Sequence, residues 1–240
     1  MAVRINKYLA SLGIASRRAV DSLIAARRIS VNGHVLDQAG YQVQPADVIA
    51  IDGKKISSTH PRHRYLLFNK PLDCITTRSD THGRNTVLDY IDIKERIFPI
   101  GRLDRNTTGV LLLTNDGELA NKLMHPRHGV GKAYRAYLDK SFTKKDRQHF
   151  ESGIMLDDRK TASCSAQFFR GSKRDIIVTL HEGRNRQIHR MFQSLGYSVQ
   201  RLDRISYAGL TAKGLQRGEW RELTKSEIQL LYHCKLENGV

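Results

Sequence analysis

Apolar residues at helical spacing open the chain. Ile5, Tyr8, Leu9 and Leu12 share one face of a helix expected over residues 3–12, and Gly13 is placed to end it. Ser16 is a natural N-cap for a second helix, in which Ala19, Val20, Leu23, Ile24 and Arg27 follow. The periodicity then shortens to alternation. Residues 29–33 read as a strand entering a tight turn, and residues 48–53 suggest a second strand pair. Two helices and a small sheet make residues 1–60 a compact module, followed by a polar linker at 57–63, SSTHPRH.

Beyond residue 60, strand-like and helix-like stretches alternate without a strict βαβ rhythm. Strands are predicted at 65–68, 97–100, 110–113, 133–138, 162–169 and 176–180. Helices are predicted at 117–124, 144–152, 185–195 and 225–233. Neighbouring strands joined by turns imply an α+β domain over 61–240, built on a mixed, largely antiparallel sheet with flanking helices. The tetrapeptide His-Pro-Arg-His occurs at 60–63 and again at 125–128, with no other internal repeat.

Composition bears on the partner more than on the fold. An apolar share of 40% and a charged share of 27% are ordinary globular values and exclude wholesale disorder. No apolar run approaches the roughly 18 residues of a membrane span. The opening MAVRINKYLASLG turns polar at once, so no secretory leader is expected. The three cysteines, Cys74, Cys164 and Cys234, are odd in number and unpatterned, which fits reduced thiols and a cytoplasmic protein. Against this ordinary background the charge stands out: 40 Lys plus Arg against 24 Asp plus Glu give +16. Residues 1–60 contribute 8 basic and 4 acidic side chains, so the excess is shared along the chain. Such a field captures polyanions, and nucleic acid is the expected partner.

Four clusters carry candidate chemistry. Arg4, Lys7, Arg17, Arg18, Arg27 and Arg28 fall on the two N-terminal helices, where one cationic face can grip phosphates. A glycine-bounded loop in IGRLDRNTTGVLLL sets Asp104 between Arg102 and Arg105, two cations that favour the ionised carboxylate of a nucleophile or base. In GKAYRAY, Tyr134 and Tyr137 lie three apart, so on a strand they face opposite sides. In EGRNRQIHRMF, Ile188, Met191, Phe192 and Leu195 form an apolar helical stripe, with Arg184, Arg186 and Arg190 off it. Read without context, each has an ordinary structural explanation: solvated helix face, turn former, packing residues, surface helix.

The wording of these segments narrows the choice. NKYLASLGIASRRAVDSLI followed by RRISVNGHVL resembles the S4 RNA-binding domain, a small α-α-β module, which implies folded or double-stranded RNA as ligand. GRLDRNTTGVLLLTNDGELANKLMHP is similar to the signature of the RsuA/RluB/RluF family of ribosomal RNA pseudouridine synthases, and the likeness covers nearly the whole chain. The resemblance implies that Asp104 is catalytic and that Tyr134, the tyrosine of a K-x-Y motif, lies against the target base. It implies further that Ile188 packs under the base and that the residue after it pairs with Asp104. Arg102 is expected to fill the space the base vacates or to hold the adjacent phosphate, while Arg105, Arg186 and Arg190 join the RNA-binding set.

Two departures from the family pattern stand out. His189 occupies the place of the usual Arg or Lys, so the Asp104 partner is a protonated His189, Arg184 or Arg190. Asp73 replaces the glycine of the K-P-x-G turn, which opens that turn to change. The implied reaction isomerises a uridine of ribosomal RNA, or of a ribosomal assembly intermediate, to pseudouridine. Asp104 either attacks C1′ or abstracts a proton. For the substrate, 23S RNA is the first choice and 16S the alternative. No cofactor and no metal are expected, since each His pair encloses a proline and no CxxC accompanies them. A monomer is the expected state. The rivals are a non-catalytic ribosome-assembly factor, which could dispense with Asp104, and a nuclease, which would want paired carboxylates or a metal.

Overall fold

The computed structural model describes residues 3–77, 80, 83–157 and 159–234. They fall into two compact units. The first runs to His63 and takes in Lys94–Arg96 and Asn115–Gly117; the second holds the other described residues.

In the first unit, β1 (Val3–Arg4) leads into α1 (Ile5–Ser11) and α2 (Arg17–Ala25). The short strands β2 (Ile29–Val31), β3 (His34–Val35), β4 (Gln42–Val43), β5 (Ile49–Ile51) and β6 (Lys54–Lys55) follow. Strands β3, β2, β5 and β6 form an antiparallel sheet in that order, and β1 pairs with β4. Ser16 caps α2 as predicted, its Oγ accepting the Ala19 N–H at 3.1 Å. Ile5, Leu9, Val20, Ile24, Ile29 and Ile49 are buried together. The helical register of the first apolar run therefore is its core register.

One expectation fails here. Arg27 and Arg28 do not ride on α2. The helix closes at Ala26, Arg27 turns to φ 55°, and its N–H reaches the Ile24 carbonyl at 2.8 Å while that of Arg28 reaches Leu23 at 3.0 Å. This paired closure satisfies the last carbonyls and carries both arginines past the helical face. Arg28 is moreover bound bidentately to Asp52 at 2.8 and 2.5 Å, which leaves less of its charge for a phosphate.

The second unit begins with β7 (Tyr65–Lys70), β8 (Phe98–Pro99), β9 (Thr107–Thr114), α3 (Gly117–Met124) and β10 (Lys132–Leu138). Then come α4 (Lys144–Glu151), the hairpin of β11 (Met155–Leu156) and β12 (Arg159–Lys160), β13 (Ser165–Phe168) and β14 (Asp175–Leu180). It ends with α5 (Gln187–Ser194), β15 (Val199–Tyr207), β16 (Trp220–Glu222) and α6 (Lys225–His233). Among the described residues one sheet has the order β13-β14-β10-β15-β9-β7-β16, with β8 paired to β9. Every strand pair in it among the described residues is antiparallel except β15 with β9. The fold is thus α+β with a mixed, mostly antiparallel sheet.

Three apolar clusters cover this sheet, one around Phe142, Phe150 and Phe192, one around α3 and Tyr207, one around Phe68 and Leu111. The predicted helices at 117–124 and 225–233 match α3 and α6. Two strands of this sheet escaped the sequence pattern: β16 at its edge and β15 at its centre.

Candidate active site

A cleft of about 420 Å³ opens in the second unit. Its walls bring together residues widely separated in sequence: Arg102 and Asp104, Lys132 and Tyr134, then Arg184, Arg186, Ile188 and His189, and finally Arg204. Most of the side chains singled out from the catalytic-domain sequence therefore share one concavity.

Asp104 is half-buried, on the loop that leads into β9. The loop is pinned from several sides. Ile100 N–H bonds the Leu112 carbonyl at 2.7 Å, and Thr107 N–H bonds the Asp104 carbonyl at 3.0 Å. Thr76 Oγ1 donates to the Leu103 carbonyl at 2.9 Å and accepts the Leu103 N–H at 3.2 Å. Beneath the loop lies Lys70, fully buried at the end of β7. Its ammonium donates to the carbonyls of Pro71, Arg105 and Thr107 at 3.0, 3.1 and 2.9 Å, using all three of its hydrogens. Burial pushes Lys70 down to about 8, against the pull of the Asp104 carboxylate. Lys70 thus supports the Asp104 loop mechanically and feels its carboxylate. The K-P-x-G turn pattern does not mark this burial; the available signal is a lysine closing an otherwise apolar strand.

Arg105 does not flank the Asp104 carboxylate inside the cleft. It turns to Asp73 and lines a second concavity of about 1140 Å³ with Tyr137 and Arg201. Asp73 itself adopts φ 56°, a left-handed geometry that favours glycine. The aspartate nonetheless takes up that conformation and adds an ion pair to the turn.

Tyr134 and Tyr137 do face opposite sides, the first toward the Asp104 cleft and the second toward the other concavity. The ladder between β10 and β15 slips at this point: Ala133 stands opposite Ser206 but Tyr134 opposite Arg204. The extra residue, Ile205, makes a bulge that sets Arg204 beside Tyr134. Arg204 is 2% exposed, a large cation at the centre of the sheet. Nothing in the sequence pattern marked it.

On α5 the stripe Ile188, Met191 and Phe192 is buried as predicted, with Ile188 reaching the cleft wall. The three proposed partners of Asp104 divide differently. Arg184 donates to the carbonyls of Arg159 and Lys160 at 2.9 and 2.7 Å, and Arg190 pairs with Asp157 at 2.6 Å, so both are engaged elsewhere. A protonated His189 is also disfavoured. Burial, reinforced by Arg186, pushes its pKa below the ordinary imidazole value despite Asp104, which leaves the ring neutral at pH 7. Arg186 is exposed at the helix entrance with φ 48°. Lys132 also sits on the wall, pushed down to about 8 by burial and then by Arg204. In the first unit Arg4, Lys7, Arg17 and Arg18 are exposed.

A cleft that combines a fixed carboxylate, an aromatic wall and an excess of cations suits an enzyme acting on a base of an RNA chain. The family follows from sequence. Residues 64–194 match the family RNA pseudouridylate synthase, and residues 3–49 match the S4 domain. The chain belongs to the RNA pseudouridine synthases of the RluB/RluF family and carries an N-terminal S4 domain.

Among its relatives, the Ribosomal large subunit pseudouridine synthase B of Bacillus subtilis (strain 168) is 42% identical over 233 residues, 95% of each chain. The Dual-specificity RNA pseudouridine synthase RluF of Escherichia coli (strain K12) is 33% identical over 238 residues, 99% of this chain and 80% of that one. A crystal structure of a pseudouridylate synthase, 26% identical, matches with a TM-score of 0.70 over 96% of this chain and 100% of its own. Among the described residues no helix is long and apolar enough to cross a membrane, and no cluster of three or more His, Cys, Asp or Glu could hold a metal.

Proposed function

We propose that this RNA pseudouridine synthase isomerises one uridine of ribosomal RNA, with the large-subunit 23S RNA as substrate and Asp104 as its reacting carboxylate. The observation that carries the reading is the placement of Asp104, on a pinned loop in a cleft shared with Tyr134 and the buried Ile188. The name of the 42% identical relative supports the choice of RNA.

The target base leaves its stack, at a cost of a few kcal/mol, and enters the cleft between Tyr134 and Ile188. Arg102, exposed at the cleft wall, is suited to occupy the vacated space or hold the adjacent phosphate. The Asp104 carboxylate then attacks C1′ or removes a sugar proton to form a glycal. In both routes the N1–C1′ bond breaks with its electron pair going to the uracil. The base rotates within the enclosed site, and C5 bonds to C1′ as the Asp104–C1′ bond breaks or, in the glycal route, as Asp104 returns the proton to the sugar; C5 then loses its proton and N1 gains one. Retaining a free uracil requires a pocket that excludes water, which the apolar wall of Ile188 and Leu202 favours.

The test is carbodiimide-stop primer extension on unmodified 23S and 16S transcripts incubated with the purified protein. A new stop at one uridine of 23S RNA is expected. A stop on 16S alone overturns the choice of RNA. Silence on both, with binding intact, moves the substrate to an assembly intermediate, on which the experiment is repeated.

The S4 unit is expected to supply salt-sensitive affinity through its exposed cations. Replacing Arg17 and Arg18 by Gln should make the slope of log affinity against log salt shallower by up to about 2. An unchanged slope would move the phosphate contacts off α2.

A further inference from the structure

Arg204 is the most deeply buried cation on the cleft wall. Its guanidinium is held on two edges and a face. Nε donates to the Val110 carbonyl at 2.7 Å, Nη1 reaches the Tyr134 hydroxyl at the long limit of 3.5 Å, and the group stands 4.9 Å from the Tyr207 ring centre. Nη2 is buried with no partner, and no carboxylate among the described residues is paired with this arginine.

A buried guanidinium with an unused donor and no counter-ion is costly, because desolvation is uncompensated. Such groups are rare in folded proteins and call for an explanation. Arg204 also lies where the fold gives it little freedom: in the sheet it stands opposite Tyr134 on one side and Gly109 on the other. The bulge at Ile205 sets it opposite Tyr134, while its Nε reaches Val110 on β9. The guanidinium is therefore held in place on the cleft wall with one donor unused.

The reaction supplies an acceptor for it. We propose that Arg204 is a catalytic residue whose Nη2 donates to a carbonyl oxygen of the departing uracil. This rests on the assignment of the Asp104 cleft as the active site. When N1–C1′ breaks, the electron pair stays on the base and spreads over N1 and the two carbonyl oxygens. A fixed cation in a water-poor cleft stabilises that charge as it forms, more than it stabilises the neutral base of the ground state. Arg204 transfers no proton in this scheme. It remains a guanidinium while C5 bonds to C1′, N1 gains a proton and C5 loses one.

The test uses the full chain and the 23S transcript. Arg204→Ala and Arg204→Lys are compared with wild type and Asp104→Asn for RNA affinity, thermal unfolding and single-turnover rate. The expected result is unchanged affinity with a rate loss of roughly 10²–10³-fold in Arg204→Ala, partly restored by added methylguanidine. Rescue should fail for Asp104→Asn. A folded Arg204→Ala protein that turns over at the wild-type rate overturns the proposal, as does one that is slow but not rescued, which would make the role structural. If Arg204→Ala does not fold, Arg204→Lys decides: folded and slow supports the assignment, folded and fast removes it. Should Asp104→Asn itself be fully active, the site assignment fails instead, so the two failures are distinguishable.

Discussion

Asp104→Asn is expected to abolish pseudouridine formation, with a rate loss on the order of 10⁴-fold or more, while RNA affinity stays within about two-fold of wild type. The amide has the size and shape of the carboxylate but cannot attack C1′ or take a proton. The hydrogen bonds that hold the loop in place bypass the Asp104 side chain. Lys70 binds the carbonyls of Arg105 and Thr107, Thr76 binds both backbone groups of Leu103, and the turn itself closes through the Asp104 carbonyl. The substitution therefore leaves the fold and the cationic walls intact, which is why binding and turnover should separate. Single-turnover pseudouridine assays beside filter binding measure both. Conversion at the wild-type rate would remove Asp104 from the chemistry; loss of binding in parallel with turnover would instead make it part of the RNA-docking surface.

The sequence made the helices easy to find and two buried charges hard to see. The α3 and α6 segments were legible because their ends are marked. Asn115-Asp116 precedes one, and the other follows Thr224, whose hydroxyl accepts the Glu227 N–H in a full capping box. Strand β7 was legible as a short apolar run. Strand β15 was not, because its inward positions read Leu202, Arg204, and an arginine where alternation calls for an aliphatic makes the segment look like a polar loop. Lys70 hid in the same way at the end of β7. Local pattern rules assume that charge faces water, and they fail where a fold buries charge for a purpose.

The site was legible in a different sense. Asp104 and Tyr134 stood out through resemblance, since an aspartate between arginines and a tyrosine on a strand have ordinary explanations. What resemblance could not supply was the local wiring. Arg105 and Arg190 belong to Asp73 and Asp157, and His189 is neutral. Those outcomes depend on burial and on partners distant in sequence, which spacing does not encode.

Gly109→Ala is expected to damage the fold more than any other single methyl addition on β9. At Gly109 the chain has φ 105°, a region that residues with a Cβ rarely enter, and adopting it costs about 1–3 kcal/mol. Space is lacking as well. A Cβ at this position would run into the Arg204 carbonyl oxygen and come within 2.5 Å of the Asp203 carboxylate. Neither can yield cheaply: Arg204 is opposite Gly109 in the parallel β9–β15 ladder, and Asp203 is tied to Arg217 at 2.8 Å and to Thr108 at 2.7 Å. Relief would come only by parting the two strands, and these carry the Asp104 loop and Arg204 respectively. A loss of about 3 kcal/mol or more should lower the unfolding midpoint by roughly 6–12 °C in a chain of this length. Whatever protein remains folded should turn over slowly, since Arg204 would be displaced from Tyr134. Calorimetry gives the first quantity and a single-turnover assay well below the midpoint gives the second. An unchanged midpoint would mean that the strands accommodate the methyl, and the parallel pairing could not then be what fixes Arg204 against the cleft.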